Sequence, residues 1–168
     1  MSGSVPGDKA ASWFASADPA GLLYGAIVSA AVLATISAHA DGATFVGVAT
    51  SLVLVVYWMA HVYINTLSRQ FAGDTRHFLL RLRTSSAHET SVLKGGLPAI
   101  VVYVVASWAG LSISSAAALA VYFSVVLLGA VGYLGARQAG LRGRIVLLEV
   151  AGAASFGLLI VAAKTLLH

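Results

Sequence analysis

The sequence predicts an all-α polytopic membrane protein, a bundle of five transmembrane helices with one cytoplasmic amphipathic segment between spans two and three. Three observations predict it. Of 168 residues, 59% are hydrophobic and 10% are charged, against about 25% charged residues in an ordinary soluble domain. So little polar surface cannot cover a water-facing globule, and lipid has to serve as part of the solvent. Five apolar segments, at 20–38, 44–66, 97–113, 115–136 and 145–167, each approach the roughly 17–25 residues that carry a helix across the hydrocarbon core. The third observation is the placing of basic residues, which fits an odd number of crossings.

Residues 1–19 are rich in Gly, Ser, Ala and Asp and include Trp13 and Phe14. They are expected to form a mobile cytoplasmic start and an aromatic interfacial anchor, ahead of a single transmembrane domain over 20–168. Asp18-Pro19 reads as an N-cap followed by proline at the first helical position. Ala38-His39-Ala40 has the A-x-A form of a signal cleavage site, but residues 1–19 hold one lysine and two aspartates. That is a poor basic leader, so span one is expected to be retained.

The stretch 67–96 is the one sizeable polar region. Leu67, Phe71, Phe78 and Leu82 fall near helical spacing, with Arg69, Arg76 and Arg83 on another face. Span two is therefore expected to continue as an amphipathic helix along the headgroups. Arg69, Arg76, Arg81 and Arg83 are the candidates for contact with anionic lipid or a partner protein. Ser86-Ala87-His88-Glu89 has capping-box spacing and predicts a second short helix. Gly95-Gly96 is expected to break it, and Pro98 to open span three. Gly110 to Ser115 reads as a tight turn into span four.

Lys9 precedes span one; Arg69, Arg76, Arg81, Arg83 and Lys94 lie between spans two and three; Arg137, Arg142 and Arg144 lie between spans four and five. Five crossings put all nine on one side, leaving only Lys164 of the ten Lys and Arg residues elsewhere. By the positive-inside rule the N-terminus is cytoplasmic and the C-terminus outside, in a bacterial cytoplasmic (inner) membrane. The formal charge of +4 then points to anionic headgroups. No recognition motif supports nucleic acid.

Cysteine is absent, which removes disulfides, thiolate metal sites and cysteine nucleophiles. No Walker, GxSxG or HExxH pattern occurs, no carboxylate cluster suggests a metal, and of five scattered histidines only His61 lies well inside a span. No enzyme activity, metal or cofactor is expected. Ala130-Val131-Gly132-Tyr133-Leu134-Gly135 approximates a potassium-filter sequence, but a leucine interrupts it within a long apolar helix.

The candidate functional residues are those that a membrane interior tolerates least. Glu149 lies just over one turn inside span five, and His61 lies at similar depth in span two; ionisable groups so placed are functional by default. Thr50, Leu54, Tyr57, His61 and Asn65 step by four, three, four and four residues and share one face, with Trp58 beside them. Tyr24 and Tyr133 lie about one turn from the same boundary. A His61–Glu149 pair with this shell would exchange protons, because imidazole as a class titrates near neutrality. The bland alternatives are a hydrogen bond that locks two helices, or a Glu149 that reaches towards Arg144. Gly21 and Gly25, the Gly129, Gly132, Gly135 ladder, and Gly152 with Gly157 mark close helix packing, within one chain or between copies.

Gly21-Leu22-Leu23-Tyr24-Gly25-Ala26-Ile27, Tyr57-Trp58-Met59-Ala60-His61-Val62-Tyr63 and Leu158-Leu159-Ile160-Val161-Ala162-Ala163-Lys164 resemble segments of a group of small, uncharacterised bacterial multi-span membrane proteins. That resemblance implies the membrane fold and no activity. The expected function is a small channel or permease for protons or another small ion, working as a homo-oligomer. The alternative is a non-conducting scaffold or accessory subunit that binds lipid or a partner through residues 67–96.

Overall fold

The structure, a computed structural model, describes residues 18–73 and 77–166. Six helices account for most of them, and the described residues contain no strand: α1 Pro19–Ile36, α2 Ala43–Phe71, α3 Phe78–His88, α4 Thr90–Trp108, α5 Ile113–Gln138 and α6 Arg144–Leu166. All but α3 are long and apolar enough to cross a membrane, so the chain is a membrane protein with five candidate spans. The start expected over 1–19 lies, apart from Asp18 and Pro19, outside the described residues.

Local chemistry sets the ends. The Asp18 carboxylate accepts from the Ala20 and Gly21 backbone N–H groups at 3.4 and 3.0 Å, and Pro19 fills the first helical position, as the dipeptide predicts. α2 has 29 residues and is about 43 Å long at 1.5 Å per residue, which exceeds a hydrocarbon core of about 30 Å. It ends at Ala72 and at Gly73, whose φ of +86° suits a residue without Cβ. Ser112 caps α5 by accepting from Ser115 N at 3.2 Å.

The start of span three differs from expectation. α4 begins at Thr90 rather than 97, runs through Gly95 and Gly96, and carries Pro98 in its interior. Ser86 sits inside α3, where its hydroxyl donates to the Arg83 carbonyl rather than capping a new helix. The physical reason is packing. A Cβ on Gly25 would run into the Val92 carbonyl, and one on Gly95 would run into the Leu22 carbonyl. The glycines are where α1 and α4 touch backbone to backbone, and that contact offsets their weak helix propensity.

α1 is the hub: it packs against α2, α4, α5 and α6, most extensively against α4. α5 and α6 form the other extensive pair. The core is built from Ala30, Leu33, Val46, Ala99, Tyr103, Ala116, Ala117, Ala120 and Val121, so alanines bring helices close and a few large side chains fill the gaps. The Asp18 backbone N–H donates to Ser91 Oγ at 2.9 Å, which ties the start of α1 to the first turn of α4.

Candidate functional site

The α2 stripe turns inward. Thr50 and Leu54 are buried, and Tyr57, His61 and Asn65 are half-buried. Thr50 spends its hydroxyl on the Val46 carbonyl at 2.7 Å, as hydroxyls in apolar helices commonly do. Leu54 fills the space beside Gly96. The remaining polar groups converge on one carboxylate, and it is Glu89.

Glu89 stands at the elbow between α3 and α4. Its own N–H donates to the Ser85 carbonyl at 2.9 Å, so the chain turns there almost without breaking helix. Its side chain is 11% exposed and reaches α2 with both oxygens. His61 Nε2 lies 3.3 Å from Oε2, and Asn65 Nδ2 donates to Oε1 at 2.7 Å. The Tyr24 ring of α1 lies against His61 at 5.8 Å between centroids, tilted by 53°; the Tyr57 ring stacks on it at 6.1 Å and 23°. Two helices and an elbow thus enclose one imidazole and one carboxylate. With the imidazole protonated the contact is an ion pair. With that proton moved to the carboxyl group, both groups are neutral and the carboxyl O–H donates to the imidazole. The cluster can therefore hold or pass a proton, or change the grip of the elbow on α2.

Glu149 is not part of this cluster. It is exposed on α6 and makes no hydrogen bond or ion pair among the described residues. α2 and α6 share no extensive packing interface. The expected His61–Glu149 pair is corrected to His61–Glu89, because residue counting gives depth in the membrane but not position around the bundle. Tyr133 is likewise exposed, on α5, away from His61. Nor does Glu149 reach Arg144. Trp58 is half-buried beside Leu54, Val92 and Ile100, and its Nε1 is buried without a hydrogen-bond partner. Arg69 is half-buried and Arg83 exposed; Arg76 and the Arg81 side chain lie outside the described residues.

Sequence reasoning misses Glu89 because its spacing from Ser86 reads as a capping box. The available signal was its position. Once α4 is extended back through the glycine pair, Glu89 falls at the mouth of a span, level with Asn65 at the far end of α2.

Beyond this layer the described interior is apolar. Leu33, Leu54, Tyr103 and Leu128 are fully buried, and the hydroxyls of Thr50 and Ser124 bond carbonyls of their own helices. Ser29, buried beside Gly96, has its hydroxyl unpartnered, as do Trp58 Nε1 and the Ser85 hydroxyl. A cleft of about 610 Å³ lies between the N-terminal half of α2 and the C-terminal half of α4. Its serines, Ser51 and Ser107, donate to backbone carbonyls, and apolar side chains supply most of its wall. No group of three His, Cys, Asp or Glu capable of holding a metal occurs among the described residues.

No family model, no curated protein and no solved structure matches the chain.

Proposed function

We propose that this protein is a small membrane channel or permease for protons or another small ion, acting as a homo-oligomer. His61 and Glu89 are its ion-handling pair, with Tyr24, Tyr57 and Asn65 as the surrounding shell. The observation that carries the reading is the 3.3 Å His61–Glu89 contact, held between membrane-crossing helices where ionisable groups are costly. Histidine is the side chain whose charge changes most readily near neutral pH. The described residues of one chain offer no continuous polar route past this layer, so the proposed path runs along a boundary between copies. The proposed orientation has the His61–Glu89 end in the cytoplasm of a bacterial cell, as the basic residues dictate. α3 then lies along the headgroups with Phe78, Leu79 and Leu80 exposed to the acyl chains.

Flux into proteoliposomes tests this. The wild type should conduct, and His61→Ala and Glu89→Gln should each lose most of that flux. Equal flux in all three, or none in any, rejects the assignment.

A second reading is a non-conducting scaffold or accessory subunit that binds lipid or a partner through residues 67–96. The apolar interior of the described residues favours it, as does the exposed apolar side of α3 next to Arg83. Charge reversal at Arg76, Arg81 and Arg83 should then change the co-purifying lipid or protein while leaving the fold intact. An unchanged profile counts against it.

A further inference from the structure

The cleft between α2 and α4 lies towards the opposite end of these helices from the His61–Glu89 layer. Its floor is Gly47, Ile100 and Tyr103, all buried, and its rims are Val48, Leu52 and Trp108, all exposed. Both helices are long and apolar enough to cross a membrane, so the opening between the rims faces hydrocarbon. The Tyr103 hydroxyl donates to the Ala43 carbonyl at 3.1 Å and pins the start of α2 to α4. Beside that point the wall residues Ala43, Ser51 and Ser107 are small, and they leave a volume that larger side chains would fill.

Size and lining restrict what enters. Ala43 to Val55 rises about 18 Å and Ile100 to Trp108 about 12 Å, at 1.5 Å per residue. That is close to half of a hydrocarbon core of about 30 Å, the depth of one leaflet. Spread over a length of about 15 Å, the cleft's 610 Å³ amounts to a section of about 40 Å². A helix with its side chains is about 10–12 Å across and needs roughly 80–110 Å². A helix of a second copy is therefore too wide, and a molecule one extended chain wide is not. The hydroxyls along the cleft are already spent, Ser51 and Ser107 on carbonyls of their own helices and Tyr103 on Ala43. A polar ligand gains no hydrogen bond from them, and water does not stay in apolar space without polar partners.

The geometry points to this cleft as a binding site for one acyl chain of a phospholipid, taken from the leaflet at the α1–α2 end of the bundle. That leaflet supplies chains at the right depth, running in the direction of the cleft. The headgroup stays at the mouth, level with Thr44 and Trp108, where an exposed indole suits the membrane interface. A chain on the floor touches protein on three sides, whereas an ordinary boundary lipid touches it on one, and dispersion contacts sum accordingly. The site stands apart from the ion-handling reading, since the chain is held whether or not the protein conducts.

The test loads the protein in vesicles of palmitoyl-oleoyl phosphatidylcholine with a trace of the same lipid carrying a diazirine midway along one acyl chain. The protein is then washed in mild detergent and illuminated, and the labelled peptides are sequenced. The label should concentrate at 43–55 and 100–108. Ser51→Phe and Ser107→Phe, which fill the cleft from opposite walls, should each lose most of it without lowering the unfolding midpoint. Leu158→Phe, on the exposed side of α6, should leave it unchanged. A free fatty acid with the same diazirine should be retained less. Label spread evenly over the exposed faces, label indifferent to both fillings, or equal retention of the fatty acid overturns the inference. So does a disulfide-linked dimer from Leu52→Cys in this cysteine-free chain, because a second copy would then cover the cleft.

Discussion

Glu89 accepts from Asn65 and lies against His61, both on α2, and the way it is replaced decides what is lost. Glu89→Leu leaves the Asn65 amide and the His61 imidazole without their acceptor in a half-buried layer, which costs about 1–3 kcal/mol for each buried group left unsatisfied. The expected result is a lower midpoint of thermal unfolding in detergent. Glu89→Gln keeps an acceptor for Asn65 and removes only the ionisable group, so it should retain most of the stability while losing flux. A variant that loses both to the same degree would make the cluster a structural lock. Glu149→Gln sits on an exposed face, so its effect on stability of the single chain should stay within about 0.5 kcal/mol. The contrast between these carboxylates shows what depth alone can tell. Spacing on α2 correctly put His61 and Asn65 on one inward face. It could not say which acidic residue they met, because that depends on which helix lies alongside, and α1 and α4 fill the place that Glu149 would have needed.

The crossing of α1 and α4 shows the same limit for a whole element. A Gly-Gly pair followed by proline reads as a break under rules drawn from water-exposed helices, where bare backbone is costly. In this chain the pair lies inside a helix that continues from Thr90 to Trp108, and the GxxxG of α1 meets it. The close-packing signature was readable, but whether it served contact within the chain or between copies was not, because both uses need the same small residues. Here Gly21 and Gly25 are spent within the chain. Gly25→Ala or Gly95→Ala drives a methyl group into a backbone carbonyl, which cannot move without separating the helices. Each should destabilise by about 1–3 kcal/mol, as overpacked cores do, and should also loosen the Asp18–Ser91 tie. Gly135→Ala, whose new Cβ meets nothing within 4 Å, should be neutral or stabilise by about 0.5–1 kcal/mol. Unfolding midpoints of the three variants measured side by side would show it; a uniform response would mean that the crossing is looser than its geometry implies.

At the scale of the whole molecule, the five candidate spans are readable because the bilayer sets helix length, which does not depend on tertiary detail, and the proposed direction rests on the basic residues. The read spans agree with α1, α2, α5 and α6 within a few residues at most ends. α2 runs on to Phe71, and α4 is displaced towards its start. The displacement keeps every described basic residue at its expected end, since Lys94 moves only into the second turn of α4. The odd number of crossings therefore makes a sharp prediction about sides. Cysteines placed one at a time at His39 and Leu111, in the α1–α2 and α4–α5 turns, should react with a membrane-impermeant maleimide on intact cells. Cysteines at Gly73 and Arg142, in the α2–α3 and α5–α6 turns, should react only after the membrane is opened. The reverse pattern would invert the protein and put its His61–Glu89 layer outside. Labelling of all four on intact cells would mean that copies insert both ways, in which case the asymmetry of nine basic residues out of ten does not control insertion.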